Sequence, residues 1–195
     1  MTYLFTNDYC TGGCGPLPVG SVVTSDAEPG VIDVVVTLFH GAFHDSASPQ
    51  DHALAFDLTG TPNITVSDLQ DTPFLTADGP EAPGTVHADG AGTFEYAINF
   101  PHVGHPPLIT QFSFDISGPG VTLASFAPDS LGNFFATDIW AGSSLGPQTG
   151  NTGDVGAVLA SPIPEPTSWA LMLVGFGTFG ALLRARRAAA LRQAA

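Results

Sequence analysis

Apolar and polar positions alternate with a period of two through much of the first 160 residues. In residues 92–100 an extended chain puts Phe94, Tyr96, Ile98 and Phe100 on one face and Thr93, Glu95 and Asn99 on the other. Residues 110–116 repeat the pattern with Phe112, Phe114 and Ile116 inward, and residues 53–58 do so with Leu54, Phe56 and Leu58. Residues 31–39 are a more continuous apolar run, suited to a strand in the middle of a sheet. Weaker strand patterns cover 19–24, 64–69, 121–126, 133–140 and 155–160. Turn formers separate them: Glu28-Pro29-Gly30, Thr61-Pro62-Asn63, Asp78-Gly79-Pro80, Asp89-Gly90, Ser117-Gly118-Pro119-Gly120 and Gly150-Asn151. The pattern predicts an all-β body over residues 1–160, an antiparallel β-sandwich of jelly-roll-like topology.

The pattern then changes. Pro164 and Pro166 cannot both sit inside a regular helix, so residues 161–166 read as an extended linker. Residues 167–183 carry no charge and would reach about 25 Å as a helix, at the short end of a bilayer span. Trp169 falls where an indole favours the headgroup layer. Arg184, Arg186 and Arg187 follow at once and form a topology stop, because Lys/Arg excess marks the cytoplasmic side. Residues 167–195 are thus expected to be a transmembrane helix with an Arg-rich cytoplasmic tail.

Charge sharpens the division. The four arginines, Arg192 included, are the only basic side chains, and all 18 carboxylates lie at or before Glu165. Without cations the body cannot bind a phosphate backbone through counterion release, so nucleic acid is excluded as a partner. Its acidity serves solubility on one reading, and cation binding or a hydrated matrix on another. Charged residues are only 11% of the chain, against about 25% in ordinary soluble proteins. The 14 Phe and the abundant Val suit strands.

Candidate chemistry is sparse. Cys10 and Cys14 flank Thr11-Gly12-Gly13, and a disulfide is feasible if the glycines turn the chain; the alternative is two reduced thiols in a mobile N-terminus. Without a second Cys/His pair they do not make a zinc site. His40, His44, Asp45, Asp51 and His52 form the densest imidazole cluster, but on a strand His40 and His44 lie about 13 Å apart unless the chain turns between them. His102 and His105 sit in a proline-rich loop. Gly142-Ser143-Ser144-Leu145-Gly146 matches a nucleophile-elbow pattern, yet no histidine follows it to act as base. Asp45, Asp51, Asp89 and Asp154 lie near loops and could bind calcium weakly, though no D-x-D-x-D-G loop is present. No catalytic set, metal site or cofactor site emerges from these spacings.

The segment Pro164-Glu165-Pro166-Thr167-Ser168-Trp169-Ala170, the apolar run with Gly175-Phe176-Gly177 and the arginine cluster closely resemble the PEP-CTERM sorting tail in its PEPxxWA variety, over residues 162–187. Residues 92–100 and 115–126 are similar, more loosely, to bodies that precede such tails. The resemblance implies a Gram-negative host and recognition by an exosortase, an integral-membrane cysteine protease-transpeptidase. The sorting motif would be Pro164, Glu165, Pro166, Trp169 and Ala170, residues that serve as substrate. The chain would pass transiently through the inner membrane and end at the cell surface or outside it. Its first residues lack the basic and apolar regions of a secretion signal, so the expectation is that the true start lies upstream. The expected role is a non-enzymatic surface or matrix protein associated with extracellular polysaccharide in a biofilm. A carbohydrate-active enzyme or a sugar-binding module on the same scaffold is the alternative.

Overall fold

The computed structural model describes residues 1–44, 52–60, 62–70, 76–78, 86–99, 109–141, 151–160 and 176. Residues Met1–Ala160 form one compact unit and Ser161–Ala195 another. The first unit is all-β. Its strands are β1 (Thr2–Asp8), β2 (Gly20–Glu28), β3 (Val31–Leu38), β4 (Ala42–Phe43), β5 (Leu54–Leu58), β6 (Thr65–Gln70) and β7 (Thr76–Asp78). They continue with β8 (Val86–Ala88), β9 (Gly92–Phe94), β10 (Tyr96–Asn99), β11 (Gln111–Ser117), β12 (Phe126–Ala127), β13 (Phe135–Trp140) and β14 (Thr152–Leu159). Among the described residues every strand pairing is antiparallel.

One sheet follows the order β6-β11-β3-β2-β1-β14-β13-β5-β10-β7, with β4 added on β13 and β12 on β5. The sheet curls until its inner faces meet. Phe56 on β5 touches Phe114 on β11, ring centroids 6.2 Å apart, although those strands are far apart in the order. Phe43 and Phe112 meet in the same way at 4.9 Å. Alternation explains which residues go inward: Ile32, Val34, Val36 and Leu38 from β3, and Phe112, Phe114 and Ile116 from β11, are all buried. Each such side chain contributes roughly 1.5–3 kcal/mol relative to remaining in water.

The outer face has a smaller core. Ala97, Ala55 and Ala136 are register partners across β10, β5 and β13, and make a shelf of small side chains. The β8–β9 ribbon covers it, with Val86, Ala88, Ala91 and Phe94 buried against the alanines.

Several expectations are revised. Residues 92–100 are not one strand. The chain breaks at Glu95, whose amide N–H donates to Asp57 Oδ1 at 2.7 Å, so Phe94 faces the outer cluster while Tyr96 and Ile98 face the main core. Within residues 121–126, Leu123–Ser125 form a 3₁₀ turn, the Thr122 amide donates to Ser125 Oγ, and only Phe126 joins a strand. The N-terminus is a central strand between β2 and β14. Among the described residues no helix is long and apolar enough to cross a membrane. The expected span over 167–183 lies outside those residues except for Phe176, which is helical and exposed.

Candidate functional site

The chain leaves β1 through a tight loop organised by Asp8. Its Oδ1 accepts the Cys10 amide at 2.9 Å and its Oδ2 the Cys14 amide at 2.8 Å. Gly12 and Gly13 adopt φ near +90°, backbone that disfavours a side chain, and this turn brings Cys10 and Cys14 together as a disulfide with Cα atoms 5.4 Å apart. Ligand atoms of Asp8, Cys10 and Cys14 lie within 4.8 Å of one another, but the two sulfurs are bonded to each other and are not free to bind metal. The loop is pinned to β14: the Tyr9 amide donates to the Asp154 carbonyl at 3.1 Å, and Cys10 lies so close to Gly153 that a β-carbon there would be 2.8 Å from its Cα.

Beside this loop a cleft of about 350 Å³ opens on the outer face of the sheet. Its floor is acidic because of strand register. Ala136, Asp138 and Trp140 alternate outward on β13, and Asp138 is the direct partner of Asp154 on β14. Both carboxylates are buried, at 6% and 5% exposure. His44 Nδ1 donates to Asp138 Oδ2 at 2.6 Å, and the imidazole stacks on Trp140 with centroids 4.8 Å apart. Among the described residues no donor reaches the buried Asp138 Oδ1. Thr11, Thr152 and Asp89, the last from the β8–β9 turn, complete the lining. The cleft offers oxygen ligands and hydrogen-bond acceptors. Among the described residues that line it there is no serine and no free cysteine to serve the His44–Asp138 pair as a nucleophile.

A second carboxylate group lies at the β5–β10 corner. Burial is the main force that pushes Asp57 up to about 6; the Glu95 amide bond opposes it, and repulsion from Glu95 and Asp129 adds to it. Burial also raises Glu95, and pushes Tyr96 up to about 12 with help from Glu95 and Asp57. Among the described residues no hydrogen-bond partner reaches the buried Glu95 Oε2 or Asp129 Oδ2. On β11, burial and then the neighbouring Asp33, Asp68 and Glu28 raise Asp115.

The structure draws together some residues singled out in the sequence and separates others. Asp89 and Asp154 meet at one cleft with His44. The chain does turn between His40 and His44, at Gly41 with φ +76°, but the turn sends His44 to Asp138 and leaves His40 exposed. His52 pairs instead with Asn99. Asp45, Asp51, His102, His105, the 142–146 pattern, the sorting motif at Pro164, Glu165, Pro166, Trp169 and Ala170, and Arg184, Arg186 and Arg187 lie outside the described residues. Asp138, the centre of the cleft, is not distinguished by spacing. Its one signal is a lone acid inside the apolar run of β13.

Residues 162–187 match the family model of the PEP-CTERM protein-sorting motif, so the chain carries such a motif in that segment. The motif marks an exported protein targeted to exosortase. Neither the curated proteins nor the solved structures give a match to the chain.

Proposed function

We propose that this protein is a non-enzymatic component of the extracellular matrix, held among secreted polysaccharides after exosortase has processed its tail. On this reading residues 167–183 cross the inner membrane of a Gram-negative cell, with Arg184, Arg186 and Arg187 inside. Processing falls near Pro164-Glu165-Pro166 and releases a sandwich-like, jelly-roll-type body. The observation that carries the reading is the sorting motif at 162–187, in a chain that has all 18 of its carboxylates and no lysine or arginine at or before Glu165. Such a body is repelled by anionic membrane surfaces and stays hydrated once free.

One observation favours the carbohydrate-active alternative. Asp138 and Asp154 face each other across neighbouring strands, where β-carbons lie about 4.5–5.5 Å apart, near the carboxyl separation of about 5–5.5 Å in retaining glycosidases. Glycosidase carboxylates, however, flank the scissile bond, whereas these two are neighbours on one sheet face and His44 occupies one of them. We therefore favour binding over catalysis. The test is co-sedimentation of the exported protein with extracellular polysaccharide, run beside an assay for released reducing ends. Retention without hydrolysis is expected. Hydrolysis that disappears in Asp154→Asn would replace this reading with the enzymatic one.

A further inference from the structure

We infer that the Cys10–Cys14 bridge is an oxidative latch, templated by Asp8, that closes over the first residues of β14 once the chain meets a disulfide oxidant. The inference does not depend on the proposed function. β1 and β14 pair only as far as Asp8 and Val155. β14 itself starts earlier: Thr152, Gly153 and Asp154 pair on one side with Trp140, Ile139 and Asp138 of β13. Among the described residues their other edge meets the loop after β1 instead of a strand. The Tyr9 amide donates to the Asp154 carbonyl at 3.1 Å, Asn151 Nδ2 donates to the Gly13 carbonyl at 3.2 Å, and Cys10 is packed onto Gly153. A strand edge left open presents backbone groups to other chains, and native folds cover it. Here the cover is a loop closed by one covalent bond, and Tyr9 and Thr11 from it also line the cleft.

One carboxylate organises the closure. Asp8 holds the Cys10 amide on Oδ1 and the Cys14 amide on Oδ2, and the Gly13 amide donates to the Cys10 carbonyl at 3.0 Å. With both cysteine amides on one side chain, the two thiols are neighbours before they react, which favours ring closure over reaction with another molecule. In closing, the cysteines give two electrons and two protons to an oxidant such as oxidised glutathione, which leaves as two thiols. An exported chain meets such an oxidant, because disulfides form and persist outside the cytosol. Asp8 also opposes the reverse step. A reducing thiol must bond to one cysteine sulfur while the other leaves as a thiolate and then takes a proton. Cys14 is wholly buried and Cys10 partly exposed, so attack falls on Cys10 and the thiolate emerges at Cys14. An Asp8 oxygen lies within 4.8 Å of both sulfurs, and no lysine or arginine precedes Arg184 to offset the charge. Burial and like charge both disfavour that thiolate, so the latch closes readily and opens with difficulty.

The experiment equilibrates the full chain, in mild detergent, with mixtures of reduced and oxidised glutathione, alkylates the free thiols and counts them by mass. Short-pulse hydrogen exchange on the oxidised and reduced chains then maps what opens. On reduction, exchange in residues 9–14 and 151–154 should quicken about 20-fold, the factor that loop-closure entropy gives for so small a ring, while β3 and β11 stay protected. Asp8→Asn removes the charge and turns one acceptor into a donor. It should shift the glutathione equilibrium at least about tenfold toward the thiols, in line with the loss of one charged hydrogen bond. Should Asp8→Asn fail to fold, the exchange pattern of the parent chain still decides. Exchange that rises evenly over the body on reduction, or does not change, would overturn the latch. So would a glutathione equilibrium that Asp8→Asn leaves within about twofold of the parent's.

Discussion

Replacing Asp57 by Asn should stabilise the body at neutral pH. Burial and two neighbouring carboxylates raise Asp57 from the ordinary 3.8 to about 6. Between about pH 4 and 6 the folded chain therefore holds a proton that the unfolded chain has lost. Folding takes up that proton, so stability falls as pH rises through this window and stays lower above it. A shift of about 2 units corresponds to about 3 kcal/mol, and solvent screening of this half-buried group reduces it to about 1–2 kcal/mol. Asn keeps an Oδ1 to accept the Glu95 amide, which now donates to Asp57 at 2.7 Å, and has no charge to desolvate. Urea unfolding followed by far-UV circular dichroism should show Asp57→Asn more stable by about 1–2 kcal/mol at pH 7, and the difference should vanish below pH 4. Glu95 and Asp115 are raised too, so the parent chain should be more stable at pH 4–5 than at pH 7. A parent chain equally stable at both pH values, with Asp57→Asn weaker at each, would refute the reasoning.

Two further outcomes follow from the same structure. Phe56 is wholly buried and its ring meets Tyr96, Phe114, Phe126 and Phe135, so Phe56→Ala should cost about 3–5 kcal/mol in the same unfolding assay; a loss below about 1 kcal/mol would show that the two halves of the curled sheet do not pack through it. Cys10 and Cys14 close a loop of only four residues in sequence separation, for which chain entropy gives about 2 kcal/mol. Reductant should lower the urea midpoint of the parent chain and leave a Cys10→Ser/Cys14→Ser double variant unaffected; equal midpoints for parent and variant without reductant would mean the bridge adds nothing.

Much of the fold was legible because its strands bury one face. In β5 and β11 the period-two pattern names the inward residues correctly, and the continuous apolar run over 31–39 is β3, paired on both sides. The pattern failed where long-range contacts decide. Glu95 breaks a strand because its amide is taken by Asp57, 38 residues away. The β8–β9 ribbon buries Val86, Ala88 and Phe94 on a shelf of alanines, and alanine carries little periodic signal. β1 escaped notice because only Tyr3 and Phe5 mark its inner face, although its two sheet partners make it central. At the cleft, Asp89 and Asp154 stood out as acids near loops. Their meeting with Asp138 depends on the β13–β14 register and on the turn at Gly41, neither of which is written in local sequence.

The central claim is that the final segment is an address, removed when the protein leaves the inner membrane. The direct test is to recover the exported protein, cleave it at acidic residues, and determine its C-terminal peptide by mass spectrometry. The account predicts a chain that ends near Pro164-Glu165-Pro166 and lacks Arg184, Arg186, Arg187 and Arg192. Uncut protein in the cytosol, with all four arginines in place, would contradict it.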